Sequence, residues 1–300
     1  MRAFLTGGTG FVGTWLARHL EAMGDTVAIL PPGLDVAEAG ALDGPLREAA
    51  PDVVFHLAAL THVGRSWEAP ARTFRVNALG TLEVLEAARR LASRPRVVLV
   101  SSAEVYGRGS GAPLRETAPL QPVTPYAASK VAAEFLGLQA FLGGGLDVVV
   151  ARPFNHVGPG QSPDFVVSAL ARRVALAELS GEPEIRVGNL AAARDFTDVR
   201  DVVRAYRLLA ELADPGEVYN VCSGEAVAIS TVLDELIALS AAKVIPVVDP
   251  ALVRPVDVPV LRGDPGRIAA RCGWRPEIDR STTLAEVLED WRQRLAPARA

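Results

Sequence analysis

The stretch Thr6-Gly7-Gly8-Thr9-Gly10-Phe11-Val12-Gly13 decides the fold. It follows a short apolar run at residues 3–6, which reads as a strand, and opens residues 11–23, which read as a helix. Gly7, Gly10 and Gly13 give the spacing G-x-x-G-x-x-G. Glycines here let the backbone turn tightly and approach a pyrophosphate, while the helix N-terminus offers free N–H groups and the positive end of its dipole. Such a pattern is weak alone; between a first strand and a first helix it predicts a dinucleotide site. Gly7, Thr9, Gly10, Phe11, Val12 and Gly13 are its expected contacts.

Outward from that loop, apolar runs at 26–30, 53–56, 97–101 and 146–152 read as strands, and 71–90 and 126–141 as helices. Strands of near-continuous Val, Leu and Ile separated by helices imply a parallel sheet covered on both faces. The expected fold class is α/β, a Rossmann-type doubly wound parallel sheet with a smaller mixed α/β substrate-binding domain. The second half is less regular. Residues 162–179, 199–212, 230–240 and 283–295 read as helices, and the Pro/Gly clusters at 153–163 and 254–266 as loops. The expected division is a dinucleotide-binding domain over 1–160 and a substrate-binding domain over 161–300, with a return to the first domain at about 190–222.

Composition narrows the function. The 300 residues carry 49% hydrophobic and 22% charged side chains, a globular balance. A formal net charge of −4 disfavours broad electrostatic binding to nucleic acid or anionic membranes, so an anionic ligand needs local arginines and helix N-termini. Cys222 and Cys272 have no metal-ligand spacing, no metal is expected, and two free thiols in a reducing cytosol is the reading. The opening residues lack the long apolar segment of a signal peptide, and no apolar run of about 18 residues exists to span a membrane. A cytoplasmic location is expected.

Which dinucleotide binds is left open. An acidic residue after the second strand favours NAD and an arginine favours NADP, but the strand runs into Pro31-Pro32-Gly33. Asp35 is a candidate for the adenine end, or a turn or helix cap.

Tyr126-Ala127-Ala128-Ser129-Lys130 follows Pro125 at a helix start. Tyr126 and Lys130, at i and i+4, share a helix face. The lysine charge, with that of an oxidised nicotinamide, lowers the phenol's pKa and makes it a usable acid or base. Lys130 and Lys243 are the only lysines in the chain, so the position of Lys130 stands out. Ser101 and Ser102 follow the fourth strand, at the sheet edge where ligands bind in such folds. Ser102 can hydrogen-bond a substrate carbonyl.

Together, Gly7/Gly10/Gly13, His56-Leu57-Ala58-Ala59, Asn77 in Asn77-Ala78-Leu79-Gly80-Thr81, Ser102, Tyr126 and Lys130 resemble the extended short-chain dehydrogenase/reductase superfamily over essentially the whole chain. The resemblance implies Ser102, Tyr126 and Lys130 as catalytic residues. It puts Leu57, Ala58, Ala59, Asn77, Ser101 and Lys130 along the cofactor, NADP(H) or NAD(H). It also implies a homodimer through helices including the one bearing Tyr126.

Further stretches resemble one branch, the GDP-mannose 4,6-dehydratases and their reductase relatives. These are Thr61-His62-Val63 with Ser66-Trp67-Glu68-Ala69-Pro70, residues 152–162 around Asn155, Val187-Gly188-Asn189-Leu190, Arg194–Asp201 and Arg254-Pro255-Val256-Asp257. They imply a GDP-linked sugar held by His62, Asn155, Val187, Asn189, Arg194, Arg254 and Asp257, with the arginines suited to bidentate phosphate binding. Gly158-Pro159-Gly160-Gln161-Ser162 and Val258-Pro259 look more like GDP-4-dehydro-6-deoxy-D-mannose reductases. Glu104, two residues before Tyr106, matches the acid–base residue of the dehydratases. The expected activity is NAD(P)H-dependent reduction of the C4 keto group to a GDP-6-deoxyhexose, GDP-D-rhamnose. The alternatives are GDP-mannose 4,6-dehydratase, a UDP-sugar 4-epimerase and a non-catalytic NAD(P)-binding regulator.

Overall fold

The computed structural model describes residues 1–109, 111–252 and 258–296. In chain order it runs β1 (Arg2–Thr6), α1 (Phe11–Ala22), β2 (Thr26–Ile29), α2 (Asp43–Ala49), β3 (Val53–His56), α3 (Val63–Glu68), α4 (Pro70–Phe74), a π turn (Arg75–Leu79) and α5 (Gly80–Arg90). Then come β4 (Arg96–Val100), a tight 3-10 turn (Ala103–Tyr106), α6 (Pro125–Gly144), β5 (Val148–Pro153), β6 (Asn155–Val157), α7 (Val166–Ser180), β7 (Glu184–Val187), β8 (Ala193–Asp198) and α8 (Val199–Leu212). Last are β9 (Val218–Val221), β10 (Ala226–Ala228), α9 (Ile229–Ala238), β11 (Ile245–Val248), β12 (Val260–Leu261), α10 (Gly266–Cys272) and α11 (Arg280–Leu295).

Six strands form a parallel sheet in the order β2-β1-β3-β4-β5-β9. The strands are apolar on both faces because both are covered. In β4, Val98 packs with Leu16, Leu20, Val202, Tyr206, Ile268 and Trp274 from α1, α8 and the α10 region. Its neighbours Val97 and Leu99 pack on the other side with Leu46, Val84, Leu85 and Ala140 from α2, α5 and α6. From β1 the chain leaves to β2 on one side and then crosses to β3 on the other. The strand order therefore reverses between β1 and β3, and the ligand crevice of such sheets opens at that switch point, beyond the carboxyl ends of the strands.

The remaining elements form a second layer of structure. β8 pairs with β10, β12 and β6, while β11 pairs with β7. Helices α7, α9 and α11 close a separate core through Leu170, Val174, Leu233, Leu236, Leu288 and Trp291. The stretches read as loops, 153–163 and 254–266, hold β6 and β12. Both strands are too short, and too closely bounded by Pro and Gly, to show a period of two. The chain returns to the first sheet with α8, which packs on its face, and β9, which extends it. Among the described residues no helix is long and apolar enough to cross a membrane, and no group of three or more His, Cys, Asp or Glu could hold a metal. Cys222 and Cys272 are free and buried.

Candidate active site

The glycine loop is shaped by contact. Gly7 has φ +70°, and a Cβ there would lie 2.7 Å from Ala58 N, so β1 and β3 meet backbone to backbone at the switch point. At Gly13 a Cβ would lie 2.2 Å from Gly7 O, which lets α1 seat directly on the turn. Gly10 is different: its added Cβ would meet only Gly7 O, at 3.3 Å, so its outer side is open to a ligand. Gly10 also N-caps α1 with no side-chain hydrogen bond, and the first turn carries no acidic residue. The uncapped N–H groups and dipole end fit a pyrophosphate. Thr9 and Gly10 are exposed, and Phe11 and Val12 are half-buried beside them.

Behind the loop lies a buried relay with a single proton arrangement. Thr81 Oγ1 donates its one hydrogen to Asn77 O at 2.6 Å. His56 Nε2, 3.0 Å from Thr81 Oγ1, must therefore donate to it. Burial, with Lys130 nearby, pulls the His56 pKa down to about 3, so the ring is neutral and Nδ1 accepts from Thr6 Oγ1 at 2.7 Å. Thr6 Oγ1 in turn accepts from Ala58 N at 3.3 Å. This relay fixes the ends of β1 and β3, and with them Leu57, Ala58 and Ala59.

Asn77 sits in the π turn, a geometry often found at functional sites. Its amide accepts from Leu60 N at 2.8 Å and donates to Leu60 O at 3.1 Å and Ser129 Oγ at 2.9 Å. Both its hydrogens are engaged, so Asn77 ties the loop after β3 to α6 rather than donating to a cofactor. Ser129, which the sequence did not single out, completes that tie by donating to Tyr126 O at 2.7 Å.

Helix α6 starts where the sequence dictates, with Thr124 accepting from Ala127 N at 3.1 Å and Pro125 in the first turn. Tyr126 and Lys130 are both buried on its inner face. Lys130 Nζ donates to Val100 O at 2.8 Å. Burial pulls its pKa down to about 8, opposed by Glu134. The Tyr126 phenol is not lowered in this protein alone. Burial pushes it up to about 12, the Ser102 side chain beside it favours ionisation, and the Glu104 carboxylate opposes it. Low dielectric sets the direction, and Ser102 rather than Lys130 is the group that lowers the phenol. Ser102 Oγ also accepts from Glu104 N at 3.2 Å, capping the 3-10 turn. Ser102, Glu104 and Tyr126 thus share one site.

Other expected contacts are used differently. The Ser101 hydroxyl donates to Glu134. Asp35 accepts from Ala37 N at 2.9 Å and pairs with Arg75 at 2.9 Å, the turn role together with an ion pair. His62 Nδ1 accepts from Arg65 N at 3.0 Å as the cap of α3. The Val187 side chain is fully buried in the second core, so only its backbone could meet a ligand. Asn189 accepts from Ala191 N at 3.0 Å. Arg194 is buried in β8, its Nη1 donating to Ala193 O at 2.9 Å and Val258 O at 2.6 Å, which removes one arm of the expected phosphate fork. Asn155 is half-buried at the start of β6, opposite Phe196 of β8. Arg254 and Asp257 lie outside the described residues.

The family model described as GDP-mannose 4,6 dehydratase matches residues 33–287. The chain belongs to the GDP-mannose 4,6 dehydratase family. It is 39% identical over 299 residues to a GDP-6-deoxy-D-mannose reductase of Pseudomonas aeruginosa, covering 98% of both chains. To a GDP-mannose 4,6-dehydratase of Yersinia enterocolitica it is 30% identical over 285 residues, covering 85% of this chain and 76% of that one. The solved structure of RMD from Pseudomonas aeruginosa complexed with NADPH matches with TM-score 0.91 at 36% identity, over 98% of this chain and 100% of that one. In this family setting, and with its parallel sheet, the chain is an NAD(P)-dependent oxidoreductase.

Proposed function

We propose that this chain reduces the C4 keto group of GDP-4-dehydro-6-deoxy-D-mannose with NAD(P)H, giving a GDP-6-deoxyhexose, GDP-D-rhamnose. The observation that carries this reading is the full-length 39% identity to a GDP-6-deoxy-D-mannose reductase, against 30% over a shorter span to a dehydratase. Bound NAD(P)H supplies the hydride. The uncapped α1 terminus after Gly10 binds the pyrophosphate, and Tyr126 donates the proton to the forming C4 alkoxide. Ser102 hydrogen-bonds the same oxygen and Lys130 supplies positive charge behind the phenol. A phenol held at about 12 remains protonated at neutral pH, the form a proton donor requires. Asn155 and Arg194, with Arg254 and Asp257, form the proposed nucleotide-sugar clamp.

Glu104 favours a second reading, GDP-mannose 4,6-dehydratase, because its carboxylate stands close enough to Tyr126 to raise the phenol's pKa. A dehydratase consumes GDP-mannose without added reductant, so product analysis of that incubation separates the two. We also propose a homodimer formed through α6, which exposes Phe135, Leu138 and Leu142 along one side at 58%, 40% and 72%. Mass by light scattering tests it: twice the mass of one chain is expected, and the mass of a single chain refutes it.

A further inference from the structure

Behind the candidate site, two segments are joined at successive points. One is the inner face of α6, where Tyr126, Lys130 and Glu134 follow one another at four-residue intervals. The other is the backbone from Val100 to Tyr106. Lys130 Nζ donates to Val100 O at 2.8 Å, the Ser101 hydroxyl donates to Glu134, and Ser102 lies beside Tyr126. Glu134 is itself held by a two-pronged Arg152, Nε to Oε1 at 2.9 Å and Nη2 to Oε2 at 2.6 Å. The Arg152 guanidinium lies 4.9 Å over the Tyr106 ring, and its Nη1 donates to Tyr106 OH at 2.9 Å. Tyr106 OH donates onward to Asn220 Oδ1 at 2.7 Å. One ion pair thus grips both ends of the loop that carries Ser102 and Glu104.

Ser101, Glu134 and Arg152 are all buried. Desolvating two charges offsets much of their attraction, so stability alone is a poor reason for such a pair. We propose that Glu134 is a positioning residue of this site: through Ser101 and Arg152 it sets where Ser102 and Glu104 stand against Tyr126. The inference rests on the reductase reading for its activity test and on geometry alone for its spectroscopic one.

The groups that face Lys130 and Tyr126 are Glu134 on α6, neutral His56 at the end of β3, Glu104 on the 3-10 turn, Arg152 on β5 behind Glu134, and Tyr206 on α8. Of these, Glu134 is the carboxylate that favours a charged Lys130.

Ser101→Ala removes one hydrogen bond and leaves the ion pair intact. It should lower kcat about 5–20-fold through misplacement of Ser102, with KM for NAD(P)H within about twofold of wild type. Glu134→Gln should move the alkaline limb of kcat to lower pH, because Lys130 loses the charge that favours its protonated form. A packing role would lower the folded yield and leave that limb in place. Where Glu134→Gln does not fold, the Glu134→Gln/Arg152→Gln pair leaves no buried arginine without its carboxylate and serves for the same profile. Independently of any substrate, ¹³Cζ-tyrosine spectra resolve the four tyrosines, with Tyr126 assigned through Tyr126→Phe. Ser101→Ala should shift the Tyr126 resonance and leave that of Tyr219, which is bonded to Asp214 N, in place. An unmoved Tyr126 resonance overturns the proposal, as does an unmoved alkaline limb in the Glu134 variant. A shifted resonance in a protein that turns over no GDP-keto-sugar supports the positioning role and overturns the reductase reading instead.

Discussion

The rings of Phe11 and His156 stack nearly parallel and offset, with centroids 6.3 Å apart and planes 8° from parallel. Phe11 is the first residue of α1, directly after Gly10, and His156 is the middle residue of β6. One turn further along α1, Trp15 Nε1 donates to Pro159 O at 3.1 Å. The helix whose N-terminus is the proposed pyrophosphate site is therefore fastened twice to the segment that follows β5 and carries Asn155. Burial holds His156 below its ordinary pKa, and Nδ1 meets Phe154 O at 3.1 Å, so the stacked ring is neutral with its proton on Nδ1.

Phe11→Ala removes this stack. Aromatic pairs contribute about 0.5–1.5 kcal/mol beyond burial, so KM for the sugar nucleotide should rise about 2–12-fold while kcat at saturation stays near wild type. Steady-state kinetics at saturating cofactor would show it. An unchanged KM would mean that the two segments are held together by other contacts.

Gly13→Ala has no room to succeed, since its methyl group would lie 2.2 Å from Gly7 O and 2.6 Å from Gly8 Cα, both main chain. Helix α1 must lift from the turn. Overpacking of this kind costs about 1–3 kcal/mol, and the pyrophosphate site moves with it. Calorimetry should show a lower Tm, and titration of NAD(P)H by fluorescence should show affinity reduced about tenfold or more. Wild-type affinity in this variant would place the cofactor elsewhere.

Tyr126→Phe should lower kcat by about 10²–10⁴-fold while the cofactor still binds, because only the transferable proton is lost. In the wild-type enzyme, activity should decline as Lys130 loses its charge from about pH 8 upward, well before a phenol at about 12 ionises. A pH–rate profile flat to pH 10 would contradict the need for a charged Lys130.

His56 gives the fold a pH dependence of defined sign. Its folded pKa of about 3 lies below the ordinary 6.5, so the unfolded chain binds the extra proton between those values. Stability from this residue is fully present above about 6.5 and is lost as pH falls towards 3. The shift corresponds to several kcal/mol, of the order of 3–5. Thermal melting should show Tm rising from pH 4 to 7, and His56→Gln should flatten that slope. An equally steep slope in the variant would assign the acid sensitivity to the carboxylates.

The first half of the fold was legible because its strands are apolar on both faces. Val53–His56 and Val97–Leu99 lie between two cores and read as strands without ambiguity. Strand β8 was illegible for the opposite reason. Arg194, Asp195, Thr197 and Asp198 are polar yet buried. Two of them are satisfied from distant segments: Asp195 accepts from Ser223 N at 2.8 Å and from Gly224 N at 2.9 Å, and Asp198 accepts from Thr283 Oγ1 at 2.7 Å. Hydrophobic periodicity cannot register a strand of that kind. The same limit applies at the site. Glycine spacing and the Tyr126–Lys130 interval are local and visible, whereas the link from Ser101 to Glu134 and the His56 relay join residues that only the folded sheet brings together. For Ser101, sequence shows which strand end it occupies and not which way its hydroxyl turns.

The central claim is tested most directly by nicotinamide absorbance when GDP-4-dehydro-6-deoxymannose is added to the purified protein with NADPH or NADH. Oxidation of one equivalent of cofactor per equivalent of keto sugar is expected, and the two rates give the cofactor preference. No oxidation with either cofactor, together with conversion of GDP-mannose to the keto sugar without added reductant, would contradict the reductase and give Glu104 the catalytic role of a dehydratase.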